Sequence, residues 1–148
     1  MPVSFQGFDH VDMRVKSLPA VESFYDAFLG ELGLTRKRFS HVTASGDWCE
    51  VSDERPHNVA EYYEELQRGK VAFFIGIIED TQMQPVKTRV AFRVPRSELD
   101  RLHRRLYELG ARRIEWSDDM QSYPAVFFED AVGTNLELCA RHTPADGY

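Results

Sequence analysis

Hydrophobic and polar positions alternate along FDHVDMRV (Phe8 to Val15), where Val11, Met13 and Val15 take turns with His10, Asp12 and Arg14. A period of two is the mark of a half-buried strand. The period then lengthens: Leu18, Val21, Phe24, Tyr25, Phe28 and Leu32 share one helical face. Ser17 can cap that helix, Pro19 is tolerated in its first turn, and Gly33 supplies a left-handed stop. Short strands are expected near Arg36 to His41 and Asp47 to Val51, around a turn at Ala44-Ser45-Gly46. Between Pro56 and Gly69 a further helix is expected, because Asn58 with Glu61 resembles a cap and Val59, Tyr62, Tyr63 and Leu66 form a stripe. VAFFIGII (Val71 to Ile78) is a continuous apolar run of central-strand length. Glu79 to Lys87, with Pro85, reads as a linker.

The grammar then restarts. TRVAFRV (Thr88 to Val94) predicts a strand. Ser97 with Asp100 suggests a cap for a helix carrying Leu99, Leu102, Leu106 and Leu109, which Gly110 stops. Strands follow near Ile114 to Trp116, Ala125 to Glu129 and Asn135 to Ala140, the last two joined by a turn at Asp130 to Gly133. HVDMRV (from His10) lies over RVAFRV (from Arg89), ELG at Glu31 over ELG at Glu108, and TRKRF (from Thr35) over RRIEW (from Arg112), with a drift of two residues. Matches in the same order and the same element types argue for an internal duplication.

Composition narrows the classes. A chain of 148 residues, 43% hydrophobic and 28% charged, has the makings of one globular domain and is not a disordered sequence. A net charge of -6 argues against a nucleic-acid partner. The basic clusters at Arg36 to Arg38 and Arg101 to Arg113 read as solvated faces before they read as anion patches. No run reaches the length that spans a bilayer, residues 1–6 lack a signal-peptide layout, and Cys49 and Cys139 form no CxxC pair. A cytoplasmic protein without a membrane partner is therefore expected, its two thiols buried. There is no phosphate-cradling glycine loop, HExxH, serine elbow or zinc-ribbon spacing, which disfavours the hydrolases and nucleotide enzymes built on them.

FDHVDMRVKSLPAVESFYDAFLGELGL (Phe8 to Leu34), VAFRVP (Val90 to Pro95) and FFEDAVGTNLEL (Phe127 to Leu138) together resemble the vicinal oxygen chelate superfamily, which holds glyoxalase I, bleomycin-resistance proteins and extradiol dioxygenases. Ser52 to Gly69 is unmatched. The resemblance implies an α+β fold: tandem βαβββ modules forming an open cup-shaped mixed sheet with helices on the outside. Residues 1–148 would make a single domain, with modules at 5–80 and 86–141. It also implies a divalent metal on four strands. The first-strand histidine falls on His10 and the last-strand glutamate on Glu137, but the other two positions fall on Arg89 and near Gly76. Two donors and a guanidinium that stays protonated do not make the roughly three-ligand open site that metal catalysis uses. An ion pair between Arg89 and Glu137 in place of the metal is the simpler expectation, unless Asp12, Glu50, Glu79 or His41 supplies further ligands.

Glu137, a carboxylate between Leu136 and Leu138, needs a partner and is the leading catalytic candidate. His10, Asp12, Arg89, Trp48 and Trp116 are candidates for binding a ligand, the tryptophans serving either as pocket walls or as core. Arg89 suits a carboxylate or phosphate. The first reading is a small-molecule binder of the glyoxalase/bleomycin-resistance/dioxygenase type with a degraded metal site and no cofactor. A second is a lyase, isomerase or dioxygenase with Zn, Ni, Fe or Mn held by His10 and Glu137. A third is a regulatory or assembly module. The resemblance implies a homodimer.

Overall fold

A computed structural model describes residues 3–4, 7–65, 68 and 73–141. Among them the elements run β1 (His10–Val15), α1 (Leu18–Glu31), β2 (Arg36–Val42), β3 (Trp48–Cys49), β4 (Val59–Tyr63), β5 (Phe74–Glu79), β6 (Arg89–Arg93), α2 (Arg96–Glu108), β7 (Arg112–Trp116), β8 (Ala125–Glu129) and β9 (Asn135–Cys139). They form two sheets, ordered β1-β5-β4-β2-β3 and β6-β9-β8-β7. In each, the first strand pairs in parallel with the last, and the remaining core pairs are antiparallel. Apart from the two-residue β3, the sheets are the same arrangement twice.

The described chain groups into two compact units. The first takes residues up to Leu18 together with Leu29–Met83, and the second takes Pro19–Phe28 together with the chain from Gln84 onward. In the second unit Phe28 meets Phe92 and Phe128 edge-on, with ring centroids 5.5 and 5.4 Å apart. Tyr25 donates its hydroxyl to Asp130 at 2.8 Å. Asp130 is fully buried, and its other carboxylate oxygen accepts the backbone N–H groups of Val132 and Thr134 in the turn before β9. A buried carboxylate is tolerable only when saturated in this way.

The alternation of β1 is realised: Met13 and Val15 are buried, while His10, Asp12 and Arg14 are exposed. Both helices close with a six-residue backbone bond, Leu34 to Leu29 and Ala111 to Leu106, with Gly33 (φ 90°) and Gly110 (φ 79°) in the left-handed region. The Leu18 N–H at the start of α1 is taken by the Glu79 carboxylate at 2.9 Å. For α2 the expected Ser97 cap is not used. Ser97 lies within the helix, Pro95 is the N-cap without a side-chain bond, and its carbonyl accepts from Glu98.

The larger correction falls between Pro56 and Gly69. No helix forms over the described part of that stretch; Val59–Tyr63 is strand β4, paired on both sides with β2 and β5. Val59, Ala60, Glu61 and Tyr62 are all buried. A strand covered on both faces loses the alternation that would announce it. Asn58 is not a helix cap either: its side chain exchanges two hydrogen bonds with the Val42 backbone, at 2.7 and 2.8 Å. Leu66 and Gly69, and residues 71–72 of the expected VAFFIGII strand, lie outside the described residues.

Candidate functional site

Residues opposite one another in a sheet share a face. In the first unit one row therefore reads Asp12, Gly76, Glu61, Arg38, and the next His10, Phe74, Tyr63, Arg36. His10 stacks on Phe74 with parallel rings 4.4 Å apart. Its Nδ1 lies 2.6 Å from Asp9 Oδ2 and its Nε2 lies 3.7 Å from Asp12 Oδ2. The Asp9 hydrogen bond, helped by the charges of Asp12 and Glu61, raises the imidazole above its ordinary 6.5. Glu61 is buried and accepts from Arg38 Nε at 3.0 Å, which holds the guanidinium firmly protonated. The absent side chain at Gly76 matters: a Cβ there would stand 2.4 Å from Asp12 Oδ1. Asp12 occupies the space that a residue at 76 would need.

In the second unit the corresponding rows are Ala91, Glu137, Phe127, Glu115 and, beside them, Arg89, Asn135, Glu129. Glu137 is buried, and the Tyr123 hydroxyl donates to its Oε1 at 2.5 Å. That bond to a carboxylate, with partial burial, pushes the Tyr123 phenol up to about 12. The ion pair expected between Arg89 and Glu137 is absent. Arg89 instead lies over Phe127, its Cζ 4.5 Å from the ring centroid. A guanidinium parked on a ring keeps its N–H edge available. Arg89 lines a hollow of about 330 Å³ with Arg113, Glu115, Phe127, Phe128, Glu129 and Asn135. A bulge in β7 gives Arg113 a left-handed backbone (φ 49°), and Arg113 Nη1 lies 3.3 Å from Glu129.

The registers identify equivalent positions. His10 and Arg89 open the first strand of each sheet, opposite Phe74 and Asn135; two residues on, Gly76 and Glu137 stand opposite Asp12 and Ala91. Of the four positions at which the resemblance implies metal ligands, two carry donors, one carries no side chain and one carries a fixed cation. Among the described residues no three His, Cys, Asp or Glu side chains are grouped to hold a metal. This donor set does not fit a four-ligand divalent centre.

The candidate residues thus divide between the units, His10, Asp12 and Trp48 in the first and Arg89, Trp116 and Glu137 in the second. Trp48 is 52% exposed and borders a different hollow. Trp116 is not a core residue; it stacks on His103 of α2, with centroids 4.2 Å apart. Cys139 is buried and Cys49 half-buried, and both are free thiols. Three residues of these faces escape a reading of the sequence. Glu61 is disguised by its resemblance to a helix cap, its partner Arg38 by its place in a basic run. Tyr123 sits in a loop, and nothing local ties it to a carboxylate fourteen residues on.

Paired βαβββ units of this connectivity are the vicinal oxygen chelate fold, and this chain has it. Solved structures match along nearly its whole length. A putative glyoxalase from Bacillus halodurans superposes with a TM-score of 0.60 at 24% identity, over 92% of this chain and 97% of its own. The fosfomycin resistance protein FosX from Mesorhizobium loti gives 0.57 at 15% identity, over 97% and 98%. FosX from Listeria monocytogenes, complexed with Mn(II) and sulfate ion, gives 0.58 at 20% identity, over 94% and 93%. No protein-family model and no curated protein sequence matches the chain.

Proposed function

We propose that the protein binds a small organic anion on the face of its second sheet, anchored by Arg89, without a resident divalent metal. The observation that carries this reading is that two of the four expected ligand positions hold Gly76 and Arg89, the counterparts of Glu137 and His10 in the other sheet, together with the engagement of Glu137 by Tyr123. Arg89 has no carboxylate partner among the described residues, whereas Arg113 beside it is matched by Glu129. A guanidinium edge above an aromatic ring suits a carboxylate, sulfate or phosphonate. Two of the Listeria FosX structures are complexes with Mn(II), one with sulfate and one, of a mutant form, with a dihydroxypropylphosphonic acid. On the present reading the anion has a counterpart in this protein and the metal has none.

Elemental analysis of protein purified without added metal, followed by titration with sulfate and methylphosphonate in EDTA, tests both parts. The expected outcome is no stoichiometric metal, saturable anion binding in EDTA, and at least about a tenfold loss in Arg89→Ala, the scale of one charge-assisted hydrogen bond. One Zn, Ni, Fe or Mn per chain, lost in Glu137→Gln, would instead favour the competing metal-dependent lyase, isomerase or dioxygenase on His10 and Glu137. A regulatory or assembly module would bind neither anion nor metal. The proposal includes a cytoplasmic homodimer, and light scattering at a single chain's mass of 17.1 kDa would remove the dimer.

A further inference from the structure

The first unit contains a second hollow, of about 400 Å³, bordered by residues from the ends of its strands: Arg14, Trp48, Asn58, Glu79, Asp80 and the turn after Val42. Its walls are fixed from within. Asn58 is bonded twice to Val42, Thr43 accepts from the Asp47 backbone at 3.0 Å, Glu79 Oε2 is held by the Leu18 N–H, and Asp80 Oδ1 accepts from the Gln82 N–H at 3.1 Å. What is left over is chemically specific. Among the described residues the Arg14 guanidinium makes no hydrogen bond or ion pair, and neither Glu79 Oε1 nor Asp80 Oδ2 has a partner. Arg14, Glu79 and Asp80 therefore border one hollow and form no ion pair with one another. The half-exposed Trp48 indole supplies an apolar wall.

We infer that this hollow binds a small zwitterion of the amino-acid class, a molecule with an acid group and an amine on an apolar body. Arg14 takes the carboxylate as a forked pair, Glu79 Oε1 and Asp80 Oδ2 take the ammonium, and Trp48 covers the body. A plain anion would leave the carboxylates facing it, and a plain amine would face Arg14. Only a ligand with both signs meets every charged group with its opposite. About 400 Å³ lies within the range of small-molecule sites.

The test uses Trp48 as its own reporter. The chain has two tryptophans, so Trp116→Phe leaves Trp48 as the only indole. This variant is titrated with the apolar and aromatic L-amino acids other than tryptophan, and the unsubstituted protein is followed in parallel by thermal shift. Expected is a saturable signal with at least one of them, such as L-phenylalanine. Its deaminated acid and decarboxylated amine, 3-phenylpropionate and 2-phenylethylamine, should bind at least about tenfold more weakly, since each lacks one of the two charged groups that the hollow would hold. Arg14→Ala should weaken the amino acid and the acid but leave the amine unchanged, and Asp80→Asn should do the converse. No saturable response in either assay up to about 10 mM, well above the millimolar affinities of weak sites, would overturn the inference. So would an acid that binds as tightly as the amino acid, or Arg14→Ala binding like the unsubstituted protein. Arg89→Ala belongs to the other unit and should leave this titration unchanged, so the two sites stand or fall separately.

Discussion

Tyr123 and Glu137 form a pair in which the proton's position decides everything. The carboxylate is buried between leucines, and the phenol donates to it. Tyr123→Phe removes that donor and leaves a buried acceptor short of a partner, at a cost of about 1–3 kcal/mol, measurable by urea unfolding at pH 7. The sign of its pH dependence follows from the shift. An unfolded chain releases the phenol proton near the ordinary 10, whereas the folded chain holds it to about 12. The pair therefore contributes its full stability below pH 10 and loses it as pH rises through 12. Absorbance at the phenolate band should include a late-titrating component that Tyr123→Phe deletes. Disappearance of a tyrosine with an ordinary titration would remove this account of Glu137. His10 runs the same way: the Asp9 hydrogen bond and the charge of Asp12 favour the imidazolium, so its contribution is present below 6.5 and fades as pH rises through the raised value.

Between elements, the informative approach is that of Asp12 in β1 to Gly76 in β5. Gly76→Ala places a methyl 2.4 Å from Asp12 Oδ1, so the carboxylate must swing aside. Because that oxygen is the end of a short side chain, the change should be tolerated, but it moves a negative charge that favours protonated His10. NMR titration of Gly76→Ala should find the His10 value lower than in the unsubstituted protein. In an Asp12→Ala background the same glycine change should have no further effect, a coupling that a double-mutant cycle reads directly. Equal shifts in both backgrounds would mean that Asp12 and residue 76 do not compete for space. The same pair of residues shows what a sequence conceals. The strands β1 and β6 are legible because their alternation is exposed on one side, and aligning them is enough to place Arg89 opposite His10 in the repeat. β4 is not legible, because burial on both faces erases its period and leaves Asn58 and Glu61 to imitate a cap. The helix stops at Gly33 and Gly110 are local and readable. The Tyr123–Glu137 bond, the Asp12–Gly76 fit and the departure of Arg89 to Phe127 depend on register, bulges and loops, which no residue pattern announces.

At the scale of the whole molecule, helix α1 raises a question of cooperativity. It is one continuous helix, yet Leu18 and Leu29–Glu31 fall in the first unit while Pro19–Phe28 falls in the second. The α1 chain thus passes from the first unit into the second and back within one helix, and a helix of this length is marginal in water without its packing. The two tryptophans report the units independently, Trp48 in the first and Trp116 in the second. In urea, single-tryptophan variants Trp48→Phe and Trp116→Phe should give the same midpoint, coincident with the fall in helical circular dichroism. Tyr25→Phe deletes the hydroxyl bond to buried Asp130 and should cost about 1–3 kcal/mol. Although Tyr25 and Asp130 belong to the second unit, the substitution should lower the midpoint seen by Trp48 as much as that seen by Trp116. Two separated midpoints, with Tyr25→Phe shifting only the Trp116 signal, would show instead that the two units unfold independently.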